Sequence, residues 1–148
     1  MLIVYKQVIG ITADGLCMKD IPQIKIEKAG ISPEELFAIA KTNTAEVLPA
    51  IVKDFCGMTV ITNSFGIGGA AVVLYSDILS KIAERFESDL CVIPSSIHEM
   101  ILLPASHFKE MQLQKIIREI NASVLDPKDI LSDHPYYYDR DRDILRIA

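Results

Sequence analysis

The segment that decides the fold is Leu90–Pro104, with the sequence LCVIPSSIHEMILLP. Two apolar runs, Leu90–Ile93 and Met100–Leu103, flank a short polar segment between two prolines. Apolar runs of this length around turn-forming residues are typical of a β-hairpin. The sequence therefore predicts a hairpin here, and its turn is the place where a functional site is most expected. The turn gathers several chemically capable side chains: Ser95, Ser96, His98 and Glu99.

Outward from this hairpin, the pattern of two strands followed by a helix occurs three times and ends in one or two further strands. Strands are predicted where β-branched or alternating apolar residues lie between turn residues. The other predicted strands are Leu2–Ile9, Gln23–Lys28, Met58–Thr62, Ala70–Tyr75, Tyr136–Tyr138 and Ile144–Ile147. In the second hairpin, Asn63–Gly69 joins the two strands.

Helices are predicted from caps and from apolar residues at helical spacing. Ser32 caps a helix with Pro33 in its first turn, and Pro49 ends it near Val47. Its apolar face comprises Leu36, Ala40, Asn43, Val47 and Ile51. Ser76 is expected to cap a second helix that buries Ile78, Leu79, Ile82, Ala83 and Phe86. A third helix over Phe108–Asn121 buries Leu113, Ile116, Ile117 and Ile120, and Asp126–Pro127 starts one further helical turn.

The short links between consecutive strands favour antiparallel pairing, because a parallel crossover needs a dozen or more residues. Helices with one apolar stripe are expected to cover one face of such a sheet. The fold class is therefore α+β. The 148 residues fit one domain spanning the whole chain, 1–148.

Composition excludes several classes of partner. The net charge of −5 argues against nucleic acid and against an anionic membrane surface. No apolar run reaches the roughly 20 residues that cross a bilayer, and no basic leader of a signal peptide precedes the interruption at Lys6 and Gln7. The cysteines, Cys17, Cys56 and Cys91, are odd in number and widely spaced, which favours reduced thiols in the cytoplasm.

Several segments resemble an uncharacterised domain-of-unknown-function family that is abundant in anaerobic gut bacteria. The most specific are Pro94–Glu99 (PSSIHE), Arg118–Asn121 (REIN), and Leu131–Asp133 (LSD) followed by Tyr138–Arg140 (YDR). The resemblance covers roughly residues 30–146 in order. It implies no activity, cofactor or partner. Members of this family are longer, with extra N-terminal sequence, so the resemblance implies a shortened copy. Residues 1–29, which precede the resemblance, are predicted from their strand pattern to form an N-terminal hairpin.

The order of strands and helices is also similar to that of secretion-chaperone-type α+β domains, which usually dimerise. This is a likeness of fold, and a fold alone does not determine function.

The polar turn allows two interpretations. As a hydrolytic site, Ser96 would be the nucleophile and His98 its base, since residues two apart on a strand share a face. Glu99 would then point away from His98, and no G-x-S-x-G elbow surrounds either serine. As a structural turn, Ser95 and Ser96 would hydrogen-bond the local backbone after Pro94. The second interpretation is favoured.

Metal and nucleotide sites are not predicted. His98, His107 and His134 do not have the spacing of a zinc motif, and no cofactor is expected. Gly66, Gly68 and Gly69 lack the lysine of a phosphate-binding loop and precede a predicted strand, so a turn explains them.

The remaining candidates are binding residues. Asn43 lies on the apolar face of the first predicted helix, where a buried amide needs a partner. Tyr136, Tyr138 and Arg140 fit an edge strand of alternating buried and exposed rings that contacts protein. The leading hypothesis is a non-catalytic interaction module that self-associates. The alternative is a hydrolase that uses Ser96 and His98.

Overall fold

The computed structural model describes residues 3–12, 15–107 and 110–148. The chain divides into two compact units, Met1–Leu48 and Pro49–Ala148, and each unit contains a sheet of its own. Because compactness does not measure independent folding, the prediction of a single domain over 1–148 stays a prediction. The combination of helices with antiparallel sheets confirms the α+β class.

The N-terminal unit consists of a β-hairpin and two helices. Strand β1 (Lys6–Thr12) pairs antiparallel with β2 (Gly15–Asp20), and α1 (Gln23–Ala29) and α2 (Pro33–Val47) follow. The start of α2 is the predicted capping box. Ser32 Oγ accepts from the Glu35 N–H at 3.1 Å, and the Glu35 carboxylate accepts from the Ser32 N–H at 3.0 Å. The predicted end of this helix near Val47 is also confirmed.

The prediction of a strand over Gln23–Lys28 is wrong, because this segment is helix α1. Its strand pattern rested on only two alternating residues, Ile24 and Ile26, and short apolar runs do not separate strand from helix. The decisive signal is Gly30, which adopts φ 65° directly after the helix. A glycine in the left-handed region is the usual C-terminal stop of a helix. The second strand of the first hairpin is β2, within the segment interpreted as a connection.

The C-terminal unit contains a six-stranded sheet in which every neighbouring pair is antiparallel. Its order is β3-β4-β6-β5-β7-β8. The strands are β3 (Ala50–Phe55), β4 (Met58–Asn63), β5 (Leu90–Pro94), β6 (Met100–Pro104), β7 (Tyr136–Asp139) and β8 (Ile144–Ile147). Both the β5–β6 hairpin and the closing β7–β8 hairpin were predicted and are confirmed.

The predicted second hairpin has the wrong partner for β4. Ala70–Tyr75 is not a strand, since Gly69–Leu74 forms a 3₁₀ helix that contacts β4 and β6. The strand that pairs with β4 is β3, and the two are joined at Cys56 and Gly57. Ile51, predicted on the first helix, therefore lies in a strand. Pro49 indicated where α2 ends. The β3–β4 hairpin that follows was not predicted because it has no Asn-Gly turn.

One face of the large sheet forms the core. Residues that pair across strands point to the same face, because side chains alternate along each strand. The buried residues of this face include Ile61, Val92, Met100, Leu102, Tyr136 and Tyr138. Helix α3 (Ile78–Phe86) adds Leu79, Ile82 and Ala83 to the buried set. Its N-terminal cap is Asp77 rather than the predicted Ser76.

Helix α4 (Glu110–Ser123) occupies most of the predicted third helix, and Phe108 and Lys109 lie outside the described residues. Its inner face differs from the prediction. Ile117 is buried, but Ile116 and Ile120 are exposed. The buried amide of Asn121 sets this face, since residues 117 and 121 are one turn apart. The predicted turn at Asp126–Pro127 is confirmed as a 3₁₀ helix over Pro127–Asp129.

Candidate functional site at the Pro94–Glu99 turn

The turn between β5 and β6 is held by two segments that are distant in sequence, the Asn63–Gly69 loop and the Pro127–Asp129 helix. The Ala70 N–H donates to the Ile97 carbonyl at 3.2 Å, and the Ile97 N–H donates to the Asp129 carbonyl at 2.8 Å. Thr62 Oγ1 donates to the His98 carbonyl at 2.8 Å. The turn is thus a junction at which both segments meet one end of the sheet.

Both serines of the turn bond within it. Ser96 is 8% exposed, and its Oγ accepts from the His98 main-chain N–H at 3.0 Å. Ser95 Oγ donates to Glu99 Oε1 at 3.0 Å. A serine oxygen that accepts from the N–H two residues later is the local bond expected of a turn serine.

The His98 ring has other partners than Ser96. Its Nδ1 accepts from the Gly68 N–H at 3.2 Å, and its Nε2 lies 3.4 Å from Asp129 Oδ1. Ser96 and His98 do not share the face of a strand, as the hydrolase interpretation required, because residues 95–99 form a turn. The carboxylate beside the histidine comes from Asp129, which the sequence analysis did not select. The helix-start signal at Asp126–Pro127 located this segment without indicating what it would contact.

Gly69 allows the loop to approach the turn. A Cβ atom at this position would overlap the Thr62 hydroxyl and the His98 carbonyl. Gly68, directly before it, adopts φ 63°, which turns its N–H toward the His98 ring. The glycines therefore act by conformation and small size, as expected, but they place the loop on the Pro94–Glu99 turn rather than in a hairpin.

A second junction explains two of the motifs. Asn121, in the REIN motif, is buried and donates through Nδ2 to the Ser132 carbonyl at 3.2 Å and to Asp133 Oδ1 at 2.8 Å. Ser132 Oγ in turn accepts from the His134 N–H at 3.1 Å. This buried amide, like the PSSIHE turn, ties a helix or strand to a loop that is distant in sequence.

The tyrosine segment is not at an edge, contrary to prediction. Strand β7 lies between β5 and β8, so Tyr136 and Tyr138 are buried and neither ring is placed for the predicted contact with protein. The Tyr138 hydroxyl donates to Asp143 Oδ1 at 2.7 Å, and burial, with this carboxylate, raises the pKa of Tyr138. The predicted alternation is confirmed, since Tyr137 is only half-buried. Arg140 is exposed.

Asn43 is exposed, so the prediction of a buried amide is wrong. The inner side of α2 passes through Phe37, Ala40 and Thr44, one position further around the helix. These residues are only half-buried, so even this side of the helix does not reach a core.

A polar cluster between α3 and the β3–β4 hairpin was not predicted from the sequence. The Arg85 guanidinium donates to both oxygens of Asp54, at 2.7 and 2.9 Å, and to Thr59 Oγ1 at 2.7 Å. Thr59 is buried and also donates to Asp54. Two parallel bonds to one carboxylate fix the geometry of the pair. No local pattern could have joined these residues, because they lie on three separate elements.

Within residues 3–12, 15–107 and 110–148, no cluster of three or more His, Cys, Asp or Glu side chains has a geometry that could hold a metal ion. None of the helices in the same ranges combines the length and apolar character needed to cross a bilayer.

Comparison with known proteins yields one match. No curated protein and no solved structure matches the chain. A family model described as a family of unknown function (DUF5688) matches residues 52–140, which include both junctions and more than half of the 148 residues. The most specific segments of the resemblance lie inside this match, whereas the parts before residue 52 and after residue 140 lie outside it. The chain therefore belongs to the family of unknown function DUF5688.

Proposed function

We propose that this chain is a non-catalytic protein-interaction module that self-associates in a bacterial cytoplasm. The observation that supports the proposal is the surface of the N-terminal unit. Among its described residues only Leu48 is buried. Apolar burial is the main favourable term in folding, so a unit that buries almost no side chain would gain stability from a partner that covers its aliphatic residues. The exposed aliphatic side chains of this unit are Ile3, Val4, Ile9, Ile11, Ile24, Ile31, Ile39 and Val47.

A second copy of the chain is the proposed partner. A unit of fewer than about 70 residues rarely builds a sufficient core alone, and oligomerisation is one of the usual remedies. A two-fold contact presents the same patch from both copies, so apolar surface meets apolar surface. The likeness of element order to dimeric secretion-chaperone-type domains favours the same arrangement. The thiols of Cys17 and Cys56 are free and exposed, as suits a reducing compartment.

Light scattering coupled to size-exclusion chromatography tests this proposal. We expect the parent chain to have at least twice the monomer mass, and Ile24→Glu, at a residue 54% exposed in the N-terminal unit, to shift it toward the monomer. Val124→Glu is the matched control, because Val124 is an exposed aliphatic residue of the C-terminal unit. A parent that is strictly monomeric, or a control that dissociates equally, would contradict the proposal.

A hydrolase that uses Ser96 and His98 is the second candidate. Asp129 favours it, since a histidine base needs an orienting carboxylate and Asp129 Oδ1 lies 3.4 Å from His98 Nε2. Ser96 Oγ is not placed to give its proton to His98, however, because the two ring nitrogens of His98 face the Gly68 N–H and the Asp129 carboxylate. If Ser96→Ala abolished an ester hydrolysis that the parent shows, the hydrolase would be favoured over the interaction module.

A further inference from the structure

The two ring nitrogens of His98 face different parts of the chain, and this fixes the position of the ring proton. Nδ1 accepts a hydrogen bond from the Gly68 N–H, so in the neutral ring it carries no proton. The proton of the neutral ring therefore lies on Nε2, which is 3.4 Å from Asp129 Oδ1. His98 thus contacts the Asn63–Gly69 loop through a lone pair and the Pro127–Asp129 helix through an N–H.

We propose that His98 is a proton-operated switch that releases the Gly68 amide when the ring becomes charged. The second proton comes from solvent and binds Nδ1, because Nε2 already carries one. Two N–H groups then face each other, and the hydrogen bond from Gly68 is lost. The imidazolium at the same time gains an ion pair with Asp129. The ring stays beside Asp129, and its hydrogen bond to the Asn63–Gly69 loop is broken.

The charged groups around the His98 ring favour an imidazolium that stays beside Asp129 and loses its hydrogen bond from Gly68. The Asp129 carboxylate faces the ring from the Pro127–Asp129 helix, and the neighbouring Lys128 is engaged by Asp126 at 3.1 Å. Glu99, on the same turn as His98, accepts from Ser95. The Asn63–Gly69 loop contains no charged residue. The His98 side chain is 36% exposed, so solvent protons reach it.

The released segment is short, since other bonds hold both ends of the loop. The Ala70 N–H bonds to the Ile97 carbonyl, and Thr62 Oγ1 bonds to the His98 carbonyl, and neither bond involves the ring. Asn63 Nδ2 also donates to the Ile67 carbonyl at 2.8 Å. We therefore expect the change to be confined to the loop tip around Gly68, with the sheet unaffected.

Nuclear magnetic resonance of the full chain between pH 8 and pH 5 tests the switch. We expect the Gly68 amide resonance to shift with the same midpoint as the His98 ring protons. Its protection against hydrogen exchange, corrected for the intrinsic rate, should fall roughly two- to tenfold as His98 is protonated. The Ala70 amide, whose acceptor is a main-chain carbonyl, should keep its protection.

Two variants and an internal reference make the result specific. His98→Asn retains an acceptor near the Nδ1 position that does not titrate, so the Gly68 amide should stay protected at pH 5. If this variant fails to fold, Asp129→Asn is used, and the Gly68 response should then still follow the His98 ring protons because Nδ1 remains the acceptor of the Gly68 N–H. The ring of His134, whose Nδ1 lies 2.7 Å from Gln114 Nε2, is the internal reference. A Gly68 amide that ignores His98, or that follows His134, would overturn the proposal.

Discussion

The two compact units of this chain differ in what they bury. The C-terminal unit, Pro49–Ala148, has a six-stranded sheet whose central strands bury one face, whereas in the described part of the N-terminal unit only Leu48 is buried. Apolar burial is the main favourable term in folding. We therefore expect most of the free energy of unfolding to come from Pro49–Ala148. The exposed aliphatic side chains of the N-terminal unit remain available for the contact proposed above.

The largest expected difference is in thiol reactivity, between Cys91 in the core of the C-terminal unit and Cys17 in the N-terminal unit. Cys91 is fully buried in β5, and burial raises its pKa to about 12, so at pH 8 it holds almost no thiolate. Cys17, in β2, is exposed. Because a disulfide reagent reaches Cys91 only when the sheet opens, we expect Cys91 to react more than roughly a thousandfold more slowly than Cys17.

Thiol counting with an aromatic disulfide reagent measures this difference. The native chain should release two equivalents quickly, from Cys17 and Cys56, and a third only in denaturant. A Cys17→Ser/Cys56→Ser variant should then show the slow phase alone. Three thiols of equal reactivity in the native chain would show that the sheet does not protect Cys91.

A pair of aliphatic truncations should give the next largest effect. Leu102→Ala removes a side chain with no exposed surface from the central strand β6, and we expect a loss of about 2–5 kcal/mol in the free energy of unfolding. At chain concentrations low enough to dissociate the proposed assembly, Ile24→Ala, in α1, should change it by less than about 0.5 kcal/mol, since Ile24 is exposed in the single chain. Urea unfolding followed by circular dichroism compares the two. Equal losses would mean that the N-terminal unit is packed as tightly as the sheet.

Replacing one asparagine in each unit should give a smaller difference in the free energy of unfolding. Asn121→Ala leaves the Ser132 carbonyl and the Asp133 carboxylate without their donor, which should cost about 1–3 kcal/mol of unfolding free energy. Asn43→Ala, at an exposed position of α2, should be neutral or slightly stabilising because alanine favours the helix. The same urea experiment distinguishes them, and a neutral Asn121→Ala would show that the second junction contributes nothing to stability.

Local signals predicted most of the elements. The Ser32 capping box, the β5–β6 hairpin and the β7–β8 hairpin each depend on residues within about ten positions, and all three were found where the sequence placed them. Where two local patterns competed, as at Ile24 and Ile26 in α1 or at Ala70–Tyr75, the sequence favoured a strand and the structure contains a helix. The number of strands still agrees, because β2 and β3 were not predicted and replace the two strands that were wrongly predicted.

The candidate site could be predicted only in part. The turn itself was identified from its composition, and the local bond of Ser96 is the one that its position implied. The partners of His98 could not be predicted, because Gly68 and Asp129 approach it through tertiary contacts that leave no trace in local spacing. The same reason explains the missed bond of Arg85 to Asp54, and the exposed position of Asn43, whose helix has no core to face.

The span of the junction at the Pro94–Glu99 turn also bears on the order of folding. Its bonds close loops of 30 residues between Gly68 and His98 and 36 residues between Thr62 and His98. Ordering such loops costs entropy before any contact is made, so contacts of this separation tend to form slowly. We therefore expect the two hairpins β3–β4 and β5–β6 to form first and this corner to assemble after them. In unfolding, the same corner should open early, while the strands that it joins are still paired.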